Sequence, residues 1–74
     1  MTSPEQIETW IQESLPCEHV QVRGDGQHFE AVIVSAAFRG KSRVQQHQLV
    51  YEALKGQMGG ILHALALQTG TPER

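Results

Sequence analysis

The sequence predicts an α+β fold. A helix, two strands, a second helix and a third strand would form a three-stranded mixed sheet with the helices on one face. Three observations carry this. Residues on either side of Gly24-Asp25-Gly26 alternate between apolar and polar, which with the Asp-Gly pair marks a β-hairpin. Two segments, "TSPEQIETWIQESL" and "SRVQQHQLVYEALKG", each hold a Ser-x-x-Gln capping box followed by apolar residues at helical spacing. Lastly, "ILHALALQT" follows Gly59-Gly60 and has the length and apolar content of a buried strand.

In the first helix, Ser3 is the expected cap, Pro4 suits the first helical position, and Gln6 completes the box. Ile7, Trp10, Ile11 and Ser14/Leu15 give one apolar stripe. Pro16 ends the helix, because the residue before a proline is pushed out of helical geometry. In the hairpin, Val20 and Val22 alternate with Gln21 and Arg23. Phe29, Ala31 and Ile33 form the core-facing set of the second strand, which leaves His28, Glu30, Val32 and Val34 on the other face. In the second helix Ser42 pairs with Gln45, and Val44, His47, Val50/Tyr51 and Leu54 make the expected buried stripe. Met58 lies just beyond, and Gly56 is the expected C-terminal stop. The last residues, 69–74, read as a turn and a frayed end. No linker or repeat divides the chain, so residues 1–74 read as one domain.

Size and composition narrow the function classes. A 74-residue domain buries a thin core and is marginally stable. No run of about 18 apolar residues is present to span a membrane. The acidic, polar start lacks the basic and apolar regions of a secretory signal. Cys17 is the single cysteine, which excludes an internal disulfide and a cysteine-rich zinc module and suits a reducing compartment such as the cytoplasm. A net charge of −2 counts against a strong grip on nucleic acid, although a local basic patch stays compatible with it. No nucleophile–base–orienter set, carboxylate pair or phosphate loop can be assembled, so no enzyme is expected.

Topology then singles out two histidines. The helix between the second and third strands is a crossover long enough to make those strands parallel, if they are neighbours. Parallel strands start at the same edge of a sheet. His28 starts the second strand and His63 lies at the start of the third, so both would emerge at the hairpin edge. A strand spacing of about 4.8 Å would let them share a ligand.

The segments "GDGQHFEAVIVS", "FRGKSRVQQHQLVYEAL" and "ILHALALQTGTPE" resemble, in order and spacing, the BolA-like proteins, and the first looks most like the short IbaG-like branch. The resemblance runs from about Val20 to Glu73. It implies the family's fold, similar to a class II KH domain, and a monothiol glutaredoxin as partner. In such pairs a [2Fe–2S] cluster is shared: a cysteine and a glutathione thiolate hold it on the glutaredoxin side, and the BolA-like chain supplies the rest. By this resemblance the histidine of the "LHA" strand start, His63, is one ligand. The loop before the second strand, where members carry Cys or His, supplies the other at His28. Members usually have Arg before the mid-helix histidine, whereas Gln46 precedes His47 here.

Plainer readings stand beside these. Taken alone, His63 shares a face with Leu65 and Leu67 and reads as a half-buried structural histidine; the resemblance reverses that. His47 sits in the apolar stripe and reads as a packed residue with one hydrogen bond. Cys17 and His19 match no zinc spacing. Arg39, Lys41 and Arg43 surround the second helix's start and are candidates for an anion or partner contact, or simply a solvated helix end. "GQMG", Gly56 to Gly59, has the G-x-x-G form of KH domains but leads into a strand and contains no basic residue, so it reads as a cap and turn. The rival function is therefore a nucleic-acid-binding regulator on a KH-like fold. A stress-responsive adaptor without metal is a third.

Overall fold

The computed structural model describes residues 3–25, 27–54 and 64–72. Helix α1 spans Pro4–Ser14, strand β1 His19–Gly24, strand β2 Phe29–Val34, helix α2 Arg43–Leu54 and strand β3 Leu65–Gly70. The sheet order is β1-β2-β3, with β1 and β2 antiparallel and β2 and β3 parallel. This is the predicted α+β architecture, and the parallel pairing that the histidine argument required is present. The register sets Val22 opposite Ala31 and Phe29 opposite Leu65.

Local chemistry explains each boundary. The Gln6 N–H donates to Ser3 Oγ at 3.1 Å, and Pro4 occupies the first turn of α1. Leu15 turns extended, at φ −141° and ψ 120°, immediately before Pro16. At α2 both halves of the capping box form: Ser42 N–H donates to Gln45 Oε1 at 2.9 Å, and Gln45 N–H to Ser42 Oγ at 3.2 Å.

One face of the sheet is buried. Val22, Phe29, Ala31, Ile33 and Leu65 point into a core completed by Ile7, Ile11 and Leu15 of the first helical segment and Val50 and Leu54 of α2. Both helices therefore cover the same face, as expected. Trp10 is only partly buried against this core.

Three expectations need correction. Val44 is 66% exposed rather than part of the α2 stripe. It lies six residues before Val50, and at about 100° per residue that rotates it roughly 120° away from the buried line. Second, the end of the chain is not frayed from residue 69. Thr69 and Gly70 belong to β3, where Ser35 N–H donates to the Gly70 carbonyl at 3.0 Å and Thr69 Oγ1 donates to Gln46 Oε1 at 2.6 Å. Third, β3 begins at Leu65, and Ala64, placed in the expected strand, is not part of it. Residues 61–63 lie outside the described residues, as do Gly56, Met58 and the Gly59-Gly60 turn.

A short 3₁₀ helix, Ala36–Phe38, was not anticipated. It drives Phe38 fully into the core. A type II turn follows, with Arg39 at φ −62° and ψ 135° and Gly40 at φ 77°, closed by Lys41 N–H on the Phe38 carbonyl at 3.1 Å. Gly40 is the residue this left-handed position demands.

Ser35 organises the junction between β2 and this turn. It is fully buried, and its hydroxyl donates to the Pro16 carbonyl while accepting the Ala37 N–H at 3.1 Å. Ser35→Ala removes the hydroxyl that partners the Pro16 carbonyl and the Ala37 N–H, so urea denaturation should show a loss of about 1–3 kcal/mol. Val44→Gln should change stability by less than about 0.5 kcal/mol, because that side chain faces water.

Candidate functional site

His28 sits at the base of the hairpin turn, directly before β2, with its side chain exposed. Its backbone is held from several sides. Asp25 Oδ1 accepts the N–H of Gln27 at 2.9 Å and of His28 at 3.0 Å, and Asp25 N–H donates to the His28 carbonyl at 3.2 Å. This Asx-type turn is local chemistry that an Asp at the tip provides. Gly24 closes the neck: a Cβ there would lie 2.5 Å from the His28 carbonyl oxygen and 2.6 Å from Phe29 Cδ1. Any side chain at residue 24 would push the strand start away. The sequence signals were the Asp-Gly pair and the flanking glycine, although only the structure shows that both serve His28.

The hydrogen bonds from His28 and then Gln27 hold the Asp25 carboxyl below its ordinary range.

His63 lies outside the described residues. It is joined directly to Ala64, and Leu65 pairs in register with Phe29. Phe29, next to His28, and Leu65, two residues after His63, thus start neighbouring parallel strands. Among the described residues, no group of three His, Cys, Asp or Glu side chains comes together.

Cys17 is half-buried, and its Sγ donates to the Leu15 carbonyl at 3.2 Å. Burial, and then the neighbouring Glu18 carboxylate, pushes the thiol up, which disfavours the thiolate needed for ligation or attack. That agrees with reading it as a small packing residue.

Arg39, Lys41 and Arg43 are all exposed around the start of α2. Arg43 and His47 line a groove of about 330 Å³ together with Leu67, Gln68 and Thr69 of β3. His47 is half-buried as expected, but its Nε2 is buried and has no hydrogen-bond partner among the described residues. Gln46, noted in the sequence only as a departure, has a structural task. Its Nε2 donates to the Lys41 carbonyl at 2.9 Å while its Oε1 accepts from Thr69, tying the start of α2 to the end of β3. "GQMG" lies outside the described residues.

The Asp25 turn generates a pH expectation. A carboxyl whose pKa is lowered by folding contributes above its unfolded pKa, and the contribution is lost as pH falls through the folded value. The amide resonances of Gln27 and His28 should therefore titrate together, with a midpoint below the usual carboxylate range. In Asp25→Ala that shared transition should vanish from the NMR titration.

No helix among the described residues is long and apolar enough to cross a membrane. A family model described as "BolA-like protein" matches residues 3–74. The acid stress protein IbaG of Escherichia coli K12 is 34% identical over 68 residues, covering 90% of this chain and 81% of that protein. The DNA-binding transcriptional regulator BolA of Haemophilus influenzae is 46% identical over 55 residues, covering 74% of this chain and 53% of that protein. The chain thus spans about half the length of several curated relatives it matches. Among solved structures, a bolA protein homologue from Coxiella burnetii superimposes with a TM-score of 0.86 at 41% identity, covering 97% of this chain and 94% of that one. With the helix-strand-strand-helix-strand order and the parallel β2–β3 pair already established, these matches identify the chain as a member of the BolA-like family.

Proposed function

We propose that this chain is a non-enzymatic accessory protein of iron–sulfur cluster assembly or trafficking, working in iron or redox regulation. It would form a [2Fe–2S]-bridged heterodimer with a monothiol glutaredoxin, with His63 and His28 as its ligands. The observation that supports this best is the parallel β2–β3 register, Phe29 opposite Leu65, because it starts both ligand-bearing segments from one edge of the sheet. The exposure of His28 and the clamping of its backbone by Asp25 add to it, since a donor for a shared centre must be accessible and held still.

The donor set suits the group. A [2Fe–2S] centre accepts histidine on one iron in place of cysteine, which raises the cluster's potential and makes ligation sensitive to pH. Cys17 is left out of the donor set, because its half-buried position and the neighbouring Glu18 carboxylate push its thiol pKa up. A partner's thiolate and glutathione would complete the coordination.

A second reading takes its support from the Haemophilus influenzae relative named as a DNA-binding regulator and from the exposed trio Arg39, Lys41 and Arg43. On that reading the chain binds nucleic acid through its KH-like fold, with affinity falling steeply as salt rises.

Anaerobic reconstitution with a monothiol glutaredoxin, glutathione, iron and sulfide separates the two. Visible absorption and circular dichroism should show a heterodimer spectrum distinct from that of the glutaredoxin alone. His63→Ala should abolish the difference, and His28→Ala should weaken it. A spectrum identical with and without this chain would sink the cluster reading. Salt-dependent DNA binding lost on neutralising Arg39, Lys41 and Arg43 would then favour the second.

A further inference from the structure

The two edges of the sheet are not alike. Along the central strand, backbone groups alternate in direction. The Asp25 N–H on the His28 carbonyl marks even-numbered β2 residues as bonding to β1, and Ser35 N–H on the Gly70 carbonyl marks odd-numbered ones as bonding to β3. By the same alternation the N–H and C=O groups of Ala66, Gln68 and Gly70 face β2. Those of Leu65, Leu67 and Thr69 point outward along the far edge.

On the β1 edge, the corresponding outward N–H of Val22 is taken by Glu8 Oε2 of α1 at 2.9 Å. Among the described residues no comparable cover is found on the β3 edge. Strand β3, "LALQTG", also contains no charge, no proline and no bulge, the usual devices that keep an edge from pairing.

We infer that the β3 edge pairs with the β3 edge of a second copy of this chain, antiparallel about a two-fold axis at Leu67. The outward groups of Leu65, Leu67 and Thr69 are self-complementary in that arrangement. Leu67 faces Leu67 of the second copy and Leu65 faces Thr69 of the second copy, so every outward N–H meets an outward C=O. Ala66 then stands across from Gln68 of the second copy, with no charge on the strand to oppose its symmetry mate. The added strand also runs beside the groove of Arg43, His47, Leu67, Gln68 and Thr69, sheltering the half-buried Leu67. Since Arg43 lines the groove with Gln68 and Thr69, the two-fold sets its two copies at opposite ends of the paired strands. This association does not depend on cluster binding.

Sedimentation velocity over a wide concentration range should show the 8.2 kDa chain approaching twice its mass. Amide exchange at Leu65, Leu67 and Thr69 should slow by about tenfold or more from the dilute to the concentrated sample. Ala66 and Gln68 are exposed, so they can carry charge without disturbing the core. Ala66→Lys with Gln68→Lys sets like charges across the axis and should keep the chain monomeric. Ala66→Glu with Gln68→Lys sets opposite charges there and should restore the dimer, which also shows that Lys at residue 68 is compatible with folding. The inference is overturned by a constant monomer mass or by a dimer whose three amides exchange freely. A dimer indifferent to the Lys pair, or protection appearing only when a different protein is added, overturns it equally.

Discussion

Most of the fold passes through one buried hydroxyl. Ser35 stands where β2 ends, and its polar groups reach in four directions. Its hydroxyl donates to Pro16, just after α1, and accepts from Ala37 in the 3₁₀ turn. Its N–H reaches Gly70 at the end of β3, and its carbonyl accepts the Phe38 N–H at 3.1 Å. A polar residue at the centre of a thin core is costly unless fully satisfied, and here each bond fixes a different segment. The placement of Phe38, the largest wholly buried side chain, follows from this junction. So does the closing of β3 against β2, on which the proposed ligand edge depends.

Much of this was legible in the sequence because it is local. Capping boxes, the pre-proline stop and the Asp-Gly hairpin are written within a few residues of where they act, and the starts of α1 and α2, the end of α1 and the β1–β2 hairpin formed where those signals placed them. The core-facing set Phe29, Ala31 and Ile33 came from simple alternation. The crossover rule supplied the parallel β2–β3 pair, the strongest support for bringing His28 and His63 to one edge.

What escaped the sequence depends on contacts between distant segments. Helix α2 carries so many apolar residues that its stripe can be drawn along more than one line, and packing against β3 and α1 chose the line without Val44. The buried role of Ser35 needs Pro16, nineteen residues away in sequence. Gln46 looked like a loss beside the family pattern, yet it bridges Lys41 and Thr69 and so ties the start of α2 to the end of β3. Glu8 reads as a solvent-facing helical carboxylate until β1 presents the N–H of Val22 to it. The position of His28 was visible, but not the Asp25 clamp that fixes it.

The sheet order also has a consequence for synthesis. The middle strand, β2, precedes α2 and its last neighbour in the chain, so the α1–β1–β2 portion emerges from the ribosome well before residues 65–70. Until then β2 presents one unpaired side and the core lacks Leu65; before α2 follows, it lacks Val50 and Leu54 as well. A nascent chain at that stage exposes Phe29, Ala31 and Ile33 beside an open ladder, the combination that chaperones shield and that aggregates when left uncovered. The final strand therefore acts as a lock as well as a structural element: its arrival converts a sticky intermediate into the finished domain.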